Sequence, residues 1–86
     1  MITVIIPVYN KQTTIQQTLT SVINQSFKDF EIVIVDDGST DNSISIVNNN
    51  FNDYRISIIS QENQGVSIAR NNGVFHSRYE LIAFLD

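Results

Sequence analysis

The chain has 86 residues, 42% of them apolar, and a formal net charge of −4. That allows one small globular domain, excludes a disordered chain, and argues against a general nucleic-acid binder, which needs a basic face. With no cysteine there is neither a disulfide framework nor a thiolate metal centre. No apolar stretch reaches the ~20 residues of a membrane span and the start lacks a basic signal segment, so a cytoplasmic protein is expected, at most peripheral to the inner face of the membrane.

In chain order, Ile2–Ile6 is a β-branched run and predicts a first buried strand. Pro7 is expected to end it, since proline cannot donate to a central ladder, and residues 8–11 to form a loop. From about Gln12 the period changes. Ile15, Leu19, Val22 and Ile23 recur at i, i+4, i+7 and i+8, one helical stripe. Phe27 and Phe30 flank the polar turn Lys28-Asp29. The stretch Phe30–Asp41, FEIVIVDDGSTD, then organises the chain. Ile32–Val35 is β-branched throughout, as in a parallel strand covered on both faces. It stops at Asp36-Asp37-Gly38. Gly38 permits a positive φ, and Ser39, Thr40 and Asp41 are good helix N-caps. One acid is explained by the turn and the cap. Two adjacent acids repel each other, and a cap needs one.

Ile44 and Val47 predict a short second helix, stopped by Asn48-Asn49-Asn50. Ile56, Ile58 and Ile59 make a third strand, followed by a polar loop over Gln61–Gln64. Gly65 opens a third helix whose packed face is expected to carry Val66, Ala69 and Val74. Leu81–Leu85 is the fourth strand. The chain stops directly after that apolar run, so residues 1–86 are expected to be the front half of a larger domain.

The order β-α-β-α-β-α-β predicts an α/β fold: a partial doubly wound, Rossmann-like parallel sheet with strand order 3-2-1-4 and helices on both faces. Its strands end in Tyr9-Asn10, Asp36-Asp37, Gln61-Glu62-Asn63 and Asp86. These share the carboxyl edge, where open α/β sheets bind ligands. Neither Gly-x-Gly-x-x-Gly nor a Gly-x-x-x-x-Gly-Lys loop occurs, so phosphates are not cradled by glycines. Acids beside a polyphosphate must contact its base and sugar or recruit a divalent cation, Mg²⁺ or Mn²⁺.

Four stretches together resemble the amino-terminal half of family-2 glycosyltransferases: Val4–Asn10 (VIIPVYN), Val35–Asp41 (VDDGSTD), Asn63-Gln64-Gly65 with Ala69–Gly73 (ARNNG), and Phe84-Leu85-Asp86. The resemblance spans the whole chain. It implies a GT-A fold and transfer of a sugar from a nucleotide-diphosphate donor, UDP-linked for preference, to a glycan or lipid-linked acceptor. It implies that Pro7 and Tyr9 line the nucleobase pocket, together with Asn10, that Tyr9 stacks on the base and that Asp37 accepts the base N–H. Arg70 would reach the base or diphosphate. Asp86 would be the first acid of the Asp-x-Asp element that holds Mn²⁺ or Mg²⁺, an incomplete metal site here. The second acid, the acceptor site and the catalytic base are not in these residues, so the chain alone is expected to bind nucleotide weakly and to be inactive. It departs from the pattern at Ser77-Arg78-Tyr79, where the family has a small residue and a glycine.

On the residues alone, Tyr9 is equally a loop aromatic packed on the first helix, and Arg70 an exposed helix salt bridge. Two other classes are weighed. A non-catalytic nucleotide-binding or self-associating module would form a homo-oligomer through the uncovered fourth strand. A phosphoacceptor receiver domain would want its paired acids after the first strand, where this chain has none.

Overall fold

The computed structural model describes residues 1–25 and 28–85; Phe27 and Asp86, singled out above, lie outside the described residues. Among the described residues the order is β1 (Ile2–Val8), α1 (Ile15–Ile23), β2 (Phe30–Asp37), α2 (Ser43–Asn50), β3 (Ile56–Gln61), α3 (Val66–His76) and β4 (Leu81–Phe84). The strands form one parallel sheet in the order β3-β2-β1-β4, as expected.

Alternation along the central strands divides the core into two layers. Val4, Ile6 and Val8 of β1 and Ile32 and Ile34 of β2 meet Ile15, Leu19 and Val22 of α1 and Val47 of α2. Ile5, Val33 and Val35 point to the other face, against Ala69 of α3. Both faces of β1 and β2 are therefore covered, which is why their sequences show no polar alternation.

Four expectations need correction. Pro7 does not end β1, which continues to Val8 and pairs with β2 through Val8↔Asp36. In a parallel strand, backbone groups alternate between the two neighbours. The Ile5 carbonyl accepts from the Leu85 N–H on the β4 side, so the Pro7 nitrogen faces that side too and takes nothing from the β2 ladder. The first helix starts at Ile15, not Gln12: its N-cap Thr14 has φ −125°, outside the helical range, and the backbone N–H groups of Asn10, Lys11 and Gln12 are bonded across to Ser39, Ser43 and Asp41. The asparagine run lies inside α2, with the Asn50 side-chain amide donating back to the Ile46 carbonyl at 2.8 Å. On α3, Val66 and Val74 are exposed, and the packed residues are Ala69 and Gly73. The helix lies so close to the sheet that a Cβ at Gly73 would sit 2.5 Å from Ile5 Cγ2. Only the smallest residues fit there.

The amino-terminal edge is held by one buried carboxylate. Glu31 accepts the Thr3 hydroxyl and the Arg78 backbone N–H, each at 2.7 Å, and its other oxygen lies 3.4 Å from Arg78 Nε. It joins β1, β2 and the segment leading into β4. Glu31→Gln replaces an ionised acceptor by a neutral amide and should cost about 1–2 kcal/mol in urea denaturation, since bonds to charged groups are the stronger ones. An unchanged midpoint would show that the latch contributes nothing.

Candidate functional site

Two loops at the carboxyl edge behave as one unit. Gly38 has φ +74°, and a Cβ on it would come within 2.8 Å of the Asn63 backbone nitrogen, so this position needs glycine for conformation and for space. Asp36 accepts the Ser39 N–H at 3.0 Å and so builds the turn. Asn10 adopts φ +53°, a left-handed conformation that asparagine tolerates. Its side-chain oxygen accepts the N–H groups of Thr40 (2.8 Å) and Asp41 (3.3 Å). Asp41 accepts both the N–H and the hydroxyl of Ser43, which secures the start of α2 one residue ahead of its N-cap Asn42. The β1–α1 and β2–α2 loops are thus stitched together by side chains of their own.

Asp37 is 4% exposed. Its Oδ1 accepts the Gln61 side-chain amide and the Gln64 N–H, both at 2.8 Å, and its Oδ2 accepts the Gly65 N–H at 3.0 Å and the Asn63 amide at 3.2 Å. The Asn72 amide fixes Gln61 from α3 at 2.9 Å. Burial pushes the Asp37 carboxyl up, but the Gln64, Gln61 and Gly65 bonds outweigh it and hold the group below its ordinary value. The second acid of the pair therefore gathers the β3–α3 loop onto the end of β2.

A pocket of about 440 Å³ opens beside it, lined by Pro7, Val8, Tyr9, Lys11, Asp37, Asn63, Gly65 and Val66. Tyr9 is 47% exposed, so its ring remains accessible. Pro7, Tyr9 and Asp37, singled out from the sequence, come together here. Asn10 is taken up by the loop junction. Arg70 lies towards β4, its guanidinium carbon 5.9 Å from the centre of the Phe84 ring. Lys11 and Val66 were missed. The signal for Lys11 was a cation directly after Asn10 on an edge otherwise supplied with acids. For Val66 it was an apolar residue immediately after the loop glycine. Among the described residues no group of three or more His, Cys, Asp or Glu side chains could hold a metal ion, and Asp37 is committed to protein donors.

The sequence profile of Glycosyl transferase family 2 matches residues 3–86. The chain belongs to that family. Over 86 residues it is 45% identical to Glycosyltransferase GlyA of Streptococcus pneumoniae serotype 4, covering 99% of this chain and 12% of the relative. It superposes on S. aureus TarS 1-349 in complex with UDP-GlcNAc with TM-score 0.90 and 32% identity, covering 99% of this chain and 26% of that one. For the mannosyltransferase PcManGT of Pyrobaculum calidifontis, in complex with GDP-Man and Mn²⁺, the values are 0.86 and 29%, covering 94% and 25%. This family-2 chain therefore has the GT-A-type sheet expected of it and spans about a quarter or less of these relatives.

Proposed function

We propose that residues 1–86 are the nucleotide-binding half of a glycosyltransferase catalytic domain, which moves a sugar from a nucleotide-diphosphate donor to a glycan or lipid-linked acceptor. The observation that carries this reading is the convergence of Pro7, Tyr9 and Asp37 on one pocket at the carboxyl edge. Tyr9 offers a ring face to the base. A base N–H reaches Asp37 by displacing the longest of its four bonds, that from the Asn63 amide, which keeps a 3.0 Å bond to the Asp37 carbonyl. That exchange requires a base with a ring N–H, as in uracil or guanine, and UDP, the nucleotide of the TarS complex, is the proposed donor nucleotide. Arg70 and Asn10 are proposed to assist at the diphosphate and the loop. Mg²⁺ or Mn²⁺ is proposed at Asp86 with ligands beyond these residues, where it would neutralise the leaving diphosphate. Among the described residues no helix is long and apolar enough to cross a membrane, and a cytoplasmic setting, or contact with the inner membrane face, is part of the proposal.

Calorimetric titration tests it. UDP should bind in preference to CDP, whose cytosine has no N3–H, and Tyr9→Ala should weaken UDP by about tenfold, the loss of roughly 1–1.5 kcal/mol of ring stacking. Failure to bind either nucleotide would end the reading. Sugar transfer by the 86 residues alone is not expected.

A second reading rests on β4. It is an edge strand with Leu81 64% exposed, and Phe84 and Leu85 are exposed beside it. Such an edge pairs with other chains. Sedimentation should show a self-associating species that Leu81→Lys returns to monomer; a wild-type monomer at high concentration would remove this reading.

A further inference from the structure

The amino-terminal edge of the sheet, opposite the proposed nucleotide pocket, carries a second cavity of about 370 Å³, within the range of small-ligand sites. It is separated from Asp37 by the length of β2, eight residues or roughly 25 Å at ~3.3 Å per residue. The segments leading into the strands build it. Tyr54 and Arg55 precede β3, Arg78 and Tyr79 precede β4, and His76 closes α3. We propose that this cavity is a binding cleft for a neutral saccharide.

The charges come first. Arg55 is paired with Asp53 at 2.7 Å, Arg78 Nε lies 3.4 Å from Glu31, and Lys28 Nζ donates to the Ile23 carbonyl at 3.0 Å. The Met1 ammonium also lies 3.9 Å from Asp29, so three of the four cations face a carboxylate while Lys28, bonded to a carbonyl, keeps its charge, a field too small to select a strongly charged ligand. What the cleft offers is donors and acceptors set beside aromatic rings. Arg55 stacks over Phe30 at 4.5 Å and is fixed in place. Arg78 is 73% exposed, and its guanidinium carbon lies 5.6 Å from the Tyr79 ring centre. Tyr54 is 97% exposed, a full aromatic face presented to solvent.

A pyranose matches that combination. Its C–H face lies on an aromatic ring, while its hydroxyls both donate and accept, as Arg78, His76 and the tyrosine hydroxyls require. The cleft shares no residue with the pocket at the other edge.

The test is an NMR titration of the protein with chitotetraose, maltotetraose and cellotetraose, alongside tetragalacturonate as an anionic probe. At least one neutral tetrasaccharide should shift the amides of residues 28–31, 54–57 and 76–79, and leave 7–11 and 63–66 unmoved, with a Kd on the order of 1 mM. Tyr54→Ala, a change at an exposed position that should leave the fold intact, and Tyr79→Leu should each weaken it at least about fivefold, close to 1 kcal/mol. UDP binding should be unchanged in both. No shift with any neutral probe, shifts confined to the opposite edge, indifference to both substitutions, or tighter binding of tetragalacturonate would each overturn the proposal.

Discussion

Asp37→Ala is expected to destabilise the fold by about 3 kcal/mol, because it strands several donors that share one buried acceptor. The Gln64 and Gly65 N–H groups and the Gln61 and Asn63 amides all end on this carboxylate. Alanine offers them nothing, and little space opens for water at a residue only 4% exposed. The loop they hold lines the pocket, so UDP binding should fall with stability. Asp37→Asn separates the two effects. It keeps one acceptor oxygen, so it should lose less stability than alanine and still lose preference for a base that presents an N–H.

The same carboxylate sets an acid limit. The folded state holds it below its ordinary 3.8, so the unfolded chain takes up the proton more readily. Its contribution is complete above the unfolded value and is lost as pH falls through the lower, folded one. Urea midpoints measured from pH 6 downwards should therefore drop below about pH 4 in the wild type, and drop less in Asp37→Asn. Parallel curves for the two proteins would show that this carboxylate does not carry the acid limb.

Gly73→Val should be comparably damaging, about 3 kcal/mol, the upper range for overpacking a filled core. A Cβ there meets Ile5 Cγ2 at 2.5 Å, and Ile5 is itself fully buried among Val33, Val35 and Ala69. A β-branched side chain on Cβ cannot turn away, and valine gains only part of alanine's helix propensity over glycine. Hydrogen exchange should show α3 opening first. Combining Gly73→Val with Ile5→Ala, which makes room, should cost less than the sum of the single changes; strict additivity would mean that the two positions do not touch.

These two residues also show what the sequence made legible. The central strands announced themselves through β-branched runs because both faces are covered. The helix α1 did so through its stripe of Ile15, Leu19 and Val22. The face of α3 did not, since counting large apolar residues favours Val66 and Val74, whereas close approach is achieved by Ala69 and Gly73. At the edge, Asp37 was marked as functional, but its network with Gln61, Asn63, Gln64 and Gly65 joins residues 24 to 28 positions apart, which no local pattern reveals. Tyr9 was legible because it directly follows the end of β1, and Pro7 because a proline stands out in an apolar run. Lys11 was passed over, because its charge among acids is a weak signal when a loop does not tell which side chain turns inward.

Pro7 has a consequence that outlasts its place in β1. Its nitrogen faces β4 at the step where the next rung would join it to the Leu85 carbonyl, and it carries no hydrogen to make that rung. On that side Pro7 leaves one rung unmade, while on the other side the seam to β2 runs on to Asp36. The ring that takes the place of that proton lines both hollows that meet at Val8.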